Sequence, residues 1–195
     1  IWVGTGENVS GRHVGIGHGI YLSKDSGSTW DDMGLNKSEH ISKIIVHPDN
    51  SNIIWVASQG PLWNSGGDRG LFMSTDGGNS WSNKLYVNEW TGVTDIIIDP
   101  TNPDILYAAT WQRHRNVASL IDGGPGTSIY KSIDGGNTWN EIDSGLPSSN
   151  MGKIGLAISP MKPEVIYAAI ELDRRSGAVF RSDNSGGVWK KMSNT

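Results

Sequence analysis

Four glutamates, Glu7, Glu39, Glu89 and Glu171, stand at the ends of apolar runs, each with basic or aromatic residues close by. Two carboxylates facing each other across a cleft, about 5–9.5 Å apart, are enough to hydrolyse a glycosidic bond. Any two of these four supply the right groups, and nothing in their spacing says which pair converges. Taken singly, each is better explained by an ion pair with Arg12, Arg69, Arg113 or Arg174. A second set suits binding without chemistry: Arg12, His13, His40, Trp63, Arg69, Trp90, Trp111, Arg113, His114, Arg115, Asp173 and Arg174. Guanidinium groups in such a set would hold carboxylates, and exposed indole rings would stack on sugars or grip an apolar side chain. His13, His40 and His114 lie far apart without ligand spacing, so no metal site is expected, and no cofactor motif is present.

These residues fall between the copies of a repeat. The octapeptide Ser132–Trp139 (Ser132, Asp134, Gly136, Trp139) recurs as Ser74, Asp76, Gly78 and Trp81, and as Ser23, Asp25, Gly27 and Trp30. A fourth copy has Ser182, Asn184, Gly186 and Trp189, with Asn in the place of Asp. The period is about fifty residues, the mark of an array of supersecondary units. Each copy follows an apolar strand bearing an aromatic residue (Tyr21, Phe72, Tyr130, Phe180). The Ser and Asp side chains are expected to bond the turn backbone, and the Gly to supply its positive φ. A second element alternates with the first: apolar runs flank Pro-bearing turns at Pro48, at Pro100 and Pro103, and at Pro160 and Pro163. Proline cannot donate to a ladder, so these turns lie between strands.

A full period therefore holds four strands. They are expected at about 41–47, 53–58, 70–74 and 80–87, then 93–98, 105–110, 128–132 and 138–142, then 153–158, 165–170, 178–182 and 188–192. The segment from Trp111 to Thr127 reads as a long loop. Continuously apolar strands such as Ile96-Ile97-Ile98 require cover on both faces. Small four-stranded antiparallel sheets stacked about an axis meet that demand, so the fold class is all-β, a β-propeller. Residues 1–195 form one segment, with blades at about 1–36, 37–90, 91–146 and 147–195, the first lacking its innermost strand. Closure takes about 4–8 complete blades, so the chain is expected to be a fragment whose partners are further blades of the same polypeptide. Strand direction puts the Pro turns and the octapeptide turns on one face. The second-to-third-strand loops and the inter-blade links, which carry the candidate residues, share the other.

Bulk composition narrows the classes. The 195 residues are 36% hydrophobic with 26 glycines, which suits many short strands. A net charge of −4 without a basic run offers no nucleic-acid footprint. The absence of cysteine excludes disulfides and thiolate metal sites, and no apolar run reaches membrane-spanning length.

The octapeptide resembles the Asp-box, or bacterial neuraminidase repeat, of sialidases, xyloglucan-active glycoside hydrolases and sortilin-type receptors. With its Pro turns and Tyr107-Ala108-Ala109 strand, the chain is most similar to bacterial sortilin-like and glycosyl-hydrolase-like repeat proteins. The resemblance implies a propeller outside the cytoplasm. It implies no single activity, because the repeated residues are scaffold. A sialidase is disfavoured: the Phe/Tyr-Arg-Ile-Pro motif is absent, and Tyr21, Tyr107, Tyr130 and Tyr167 sit in expected strands. The reading is a ligand-binding or scaffolding propeller segment that recognises a glycan or peptide on the loop face. The alternative is a glycoside hydrolase that cuts a polysaccharide with two loop carboxylates.

Overall fold

The computed structural model describes residues 1–9, 11–172 and 176–193. Four antiparallel sheets follow one another along the chain. The first contains β1 (Trp2–Gly4), β2 (Ile20–Leu22) and β3 (Asp31–Asp32). The second contains β4 (Ile41–Val46), β5 (Ile54–Ser58), β6 (Gly70–Ser74) and β7 (Ser82–Leu85). The third is built on β8 (Thr91–Ile98), β9 (Leu106–Arg115), β11 (Ile129–Ser132) and β12 (Asn140–Glu141), with β10 (Leu120–Asp122) added beside β9. The fourth holds β13 (Ile154–Ile158), β14 (Ile166–Glu171), β15 (Gly177–Ser182) and β16 (Lys190–Lys191). Consecutive sheets pack face to face, the arrangement of successive blades in a β-propeller.

Three apolar clusters lie between the sheets. Ile20, Ile54, Val56 and Phe72 join the first two, Trp55, Leu71, Ile96 and Leu106 the next, and Tyr107, Ile129, Ile154, Ile166 and Trp189 the last. Each fully buried Ile or Leu contributes about 1.5–3 kcal/mol. In β5 every residue is buried because sheets cover both of its faces. In β14 burial alternates: Ile166, Ala168 and Ile170 face the third sheet while Tyr167, Ala169 and Glu171 are exposed.

The octapeptide forms the same turn four times. The Gly amide donates to the Ser Oγ four residues earlier, at 2.7 Å (Gly27), 2.8 Å (Gly78), 2.9 Å (Gly136) and 2.9 Å (Gly186). The Ser hydroxyl donates in turn to Asp25, Asp76, Asp134 or Asn184. Hydrogen bonds first from the Thr29, Ser80 or Thr138 hydroxyl, and then from its amide, hold each Asp at a pKa of about 2. Gly78 and Gly136 adopt φ of 90° and 86°, and a Cβ there would meet Trp2 at 2.5 Å and Trp55 at 2.6 Å. The turn of one sheet thus seals an aromatic residue of the sheet before it, Trp2 on β1 or Trp55 on β5. These turns bond the Pro turns of their own sheets, Gly77 to Asn52 and Gly135 to Asp104, so both kinds lie at one end of the sheets.

The third sheet departs from expectation. Its β9 runs ten residues to Arg115, and Asn116 caps a turn that returns the chain as β10. Trp111, Arg113, His114 and Arg115, expected in a loop, are strand residues. Alternating side chains carry the ladder past residue 110, and the Asn116 side-chain acceptor closes the hairpin locally. The outer strands β3, β12 and β16 shrink to two residues each, shorter than the expected 138–142 and 188–192.

Near the axis Asp95 stitches three sheets. Its Oδ1 accepts from Lys43 Nζ of β4 at 2.7 Å, and its Oδ2 from the Leu156 amide of β13 at 2.7 Å. A bulge between Val93 and Asp95 aims the carboxylate into that position. Asp95→Ala leaves the partly buried Lys43 and the Leu156 amide without an acceptor, so a loss of about 2–3 kcal/mol is expected in urea unfolding. A Lys43→Met background should absorb part of that loss in a double-mutant cycle.

Candidate loop-face site

The end of the sheets opposite the turns is built by residues 5–9 and 11–19, 59–69, 88–91 and the β9–β10 hairpin. Its foundation is buried and cationic. Arg69 is 1% exposed and donates to five carbonyls: Nε to Gly66 at 3.2 Å, Nη1 to Gln59 at 2.6 Å and Trp90 at 3.3 Å, and Nη2 to Pro61 and Asn64. The loop 59–66 is wrapped around this guanidinium, so closely that a Cβ at Gly60 would meet Arg69 at 2.8 Å. Burial pulls the Arg69 pKa down to about 10, against the favourable charge of Glu39.

Arg113 is fully buried in β9 and donates from Nη1 to Val9 at 2.8 Å and from Nη2 to Gly60 at 3.4 Å, while its Nε is unpartnered. Burial first, then the charge of Arg69, lowers it to about 9, so it stays charged at neutral pH. The guanidinium sits 4.9 Å from the Trp111 ring centroid, and Lys153 Nζ approaches the same ring at 5.3 Å. Trp111 is 2% exposed, so it belongs to the packing beneath the loops and presents no open face. His40 is also buried, and neither ring nitrogen has a hydrogen-bond partner among the described residues. Burial, then the Arg113 charge, lowers its pKa to about 4. The Glu7 backbone lies near enough to favour protonation slightly, without hydrogen-bond geometry.

A strap from the first sheet covers this foundation. Glu7 and Gly15 pair as a narrow ladder, backbone to backbone at 3.0 Å and from the Gly15 amide to the Glu7 carboxylate at 3.0 Å. The tip reaches the other three sheets: Asn8 accepts from Gln59 and Lys153, Val9 from Arg113, and Arg12 donates to Val117 at 3.1 Å. Lys153 and Gln59 are site residues that reading by residue type passes over, because they border apolar strands that read as core.

Half-buried aromatic groups remain accessible above. Trp90 and His114 stack with ring centroids 4.1 Å apart at 41°. Trp63 lies between Leu62, whose carbonyl accepts from the Arg115 amide, and Gly66, whose amide donates to Glu89. Arg115 is half-buried, and Arg12 and His13 are exposed on the strap. Asp173 and Arg174 lie outside the described residues.

The four glutamates separate. Glu39, at φ 63°, accepts from the Gly17 amide, and the exposed Glu89 accepts from Gly66, each through its backbone. Glu171 ends β14 with its carboxylate toward the Lys153 amide at 3.4 Å, and Lys153 Nζ in turn reaches Asn8, the neighbour of Glu7. The Glu7 carboxylate accepts from the Gly15 amide of its own strap, so among the described residues no hydrogen bond brings two of the four carboxylates to one partner. No group of three or more His, Cys, Asp or Glu side chains is placed to hold a metal among the described residues.

No protein-family model matches the chain. It is similar to a xyloglucanase of Paenibacillus sp, 24% identical over 209 residues, covering 89% of this chain and 19% of that protein. It is also similar to a xyloglucanase of Hypocrea jecorina, 27% identical over 203 residues, covering 89% of this chain and 22% of that one. Among solved structures, the GH74 xyloglucanase of Xanthomonas campestris superposes with a TM-score of 0.68 at 17% identity, over 90% of this chain and 27% of its own. An ancestral GH74 enzyme gives 0.69 at 22% identity, over 90% and 21%. The chain corresponds to a segment of these larger propellers.

Proposed function

We propose that this chain is part of a carbohydrate-handling β-propeller whose loop face binds a polysaccharide. The Trp90–His114 stack carries the reading, and Trp63 belongs to the neighbouring loop, whose Gly66 amide donates to the Glu89 carbonyl. Two flat rings held by a rigid strand and a braced loop offer a stacking platform for sugar rings without the cost of ordering a flexible loop. The named activity of the relatives supports a glycan over a peptide. Under this reading the Ser-x-Asp turn is an Asp-box that serves as scaffold. The protein works outside the cytoplasm, with the further blades of the same polypeptide as partners. Among the described residues no helix is long and apolar enough to cross a membrane.

Titrating xyloglucan oligosaccharides against intrinsic tryptophan fluorescence tests this. Trp90→Ala is expected to weaken binding about tenfold, because the indole supplies the apolar face on which a sugar's C–H groups are buried. Trp30→Ala, 42% exposed on the turn face, should bind as the parent does. Unchanged affinity in Trp90→Ala would sink the platform.

A second reading, a glycoside hydrolase, is favoured by the named activity of the relatives. In it two loop carboxylates, with Glu7 and Glu171 the first to test, serve as acid and base. Release of reducing ends by the full-length protein, lost in both Glu7→Gln and Glu171→Gln, is the expected result. Binding without release leaves the chain as a binding module.

A further inference from the structure

Residues 7–9 of the strap cross the axis end of the sheets, and polar side chains from three sheets meet them there. Lys153, one residue before β13, donates from Nζ to the Asn8 carbonyl, and Arg113 of β9 donates from Nη1 to the Val9 carbonyl at 2.8 Å. Gln59, one residue past β5, donates from its side-chain amide to Asn8 Oδ1, and His40, one residue before β4, lies near the Glu7 backbone. The strap does not use up these groups. Gln59, His40 and Arg113 are at most 1% exposed, yet Gln59 Oε1, both His40 nitrogens and Arg113 Nε have no hydrogen-bond partner among the described residues. Most buried polar side chains are satisfied, so orphaned atoms on three side chains gathered under one strap mark a place equipped for more than the strap supplies. Charge is in excess as well. Arg113 and Lys153 face neutral carbonyls, and neither forms an ion pair with a described carboxylate. Asp122 stands across from Arg113 in the β10 register, Glu171 turns its carboxylate to the Lys153 amide, and Glu7 turns its own to Gly15. The strap itself is lightly held: Val9 is 52% exposed and Ile16 65%, so little apolar area fastens it and local opening costs little.

We propose that residues 7–9 occupy a binding site for an acidic sugar, a uronic acid unit of a polysaccharide, which displaces them. The match is one of donors and acceptors. Arg113 and Lys153 offer two full charges to a carboxylate, where each now meets a single uncharged carbonyl of the strap. The Trp111 ring lies beside both cations, at 4.9 and 5.3 Å, and steadies their heads. Gln59 and the neutral form of His40 each present a donor and an acceptor, and a sugar hydroxyl answers both because it donates and accepts. An acidic peptide would also meet the two cations. The adjoining Trp90–His114 stack favours the sugar, since the Trp90 carbonyl accepts from the Arg113 amide and so ties platform and cations together. The inference rests on the glycan reading of the loop face and narrows it to a polysaccharide that carries carboxylates.

The test is calorimetric titration of the protein with trigalacturonate, its methyl ester and triglutamate, with xyloglucan oligosaccharides as a separate probe of the platform. Trigalacturonate is expected to bind at least tenfold more tightly than the ester or triglutamate, and less tightly as salt rises. Lys153→Met, which keeps the stem and removes the charge, should weaken it about tenfold. Asn8→Ala removes the side chain that Gln59 holds, so the strap competes less and trigalacturonate should bind several-fold more tightly, a gain that a purely structural role would not give. Weaker binding in Asn8→Ala would overturn the displacement, because the strap would then be part of the site. Equal binding of the ester would overturn the proposal outright, and tighter binding of triglutamate would overturn it in favour of an acidic-peptide site. If trigalacturonate fails to bind while xyloglucan oligosaccharides do, this inference falls alone; if neither binds, the platform reading falls with it. Asn8 and Lys153 are only half-buried, so both variants should fold, which unfolding curves would confirm.

Discussion

Arg69→Met should lower unfolding stability by about 3–5 kcal/mol, among the largest losses any single side chain in this chain would cause. Methionine keeps the stem's packing but removes the donors to five carbonyls, those of Gln59, Pro61, Asn64, Gly66 and Trp90. Those carbonyls converge on one buried point, so water cannot replace the guanidinium without opening the loop. Arg69→Lys is the informative companion. It keeps the charge, but three donors on one nitrogen cannot span a planar fork, so it should recover less than half of the loss. Urea unfolding gives the magnitudes, and amide exchange across 59–66 should rise in both variants. Because the Trp90 carbonyl is one of the five, glycan affinity should fall with loop order. Parent-like stability in Arg69→Lys would mean that charge, not geometry, holds the loop.

Stability should also fall as the pH drops from about 6.5 to about 4, through His40. In the unfolded chain the imidazole takes a proton near 6.5. In the folded protein burial, then Arg113, with a smaller effect from Arg69, oppose protonation down to about 4, and the Glu7 backbone and charge relieve it only partly. Between those values the unfolded state binds the extra proton, so acid favours unfolding. The contribution is complete above the unfolded pKa and gone below the folded one. It is on the order of 2–3 kcal/mol. His40→Gln should flatten the profile in that window. The losses below it belong to Asp25, Asp76 and Asp134, whose carboxylates titrate from 3.8 down to about 2. Urea midpoints at several pH values, parent against variant, separate the two. A parent profile that is flat in the His40 window would show that the imidazole is solvated.

Loop residues were legible by type and not by role. Arg69, Arg113, Trp111 and His40 carry the chemistry of a binding site, yet all four are buried and hold up what lies above them. Their burial follows from the strap, whose tip meets partners 104 and 145 residues away at Arg113 and Lys153, a separation no local pattern encodes. Trp90 and His114, equally plain in sequence, come to stack because β9 continues through His114.

What the sequence by itself determined is whatever closes within a few residues. The Ser-x-Asp turn binds its own backbone over four positions, so it forms wherever the octapeptide occurs, with Asn184 as readily as with Asp. The strands and their all-β class follow from alternation and from Pro and Gly at their ends. The tertiary structure alone decided which faces are covered. Tyr107 and Tyr167 occupy the same place in the repeat, yet the first is fully buried and the second 38% exposed. Their own strands are alike. The difference is the Ser185 carbonyl of the next turn, 3.3 Å from the Tyr107 hydroxyl, because burial is a property of neighbours that the repeat itself does not carry.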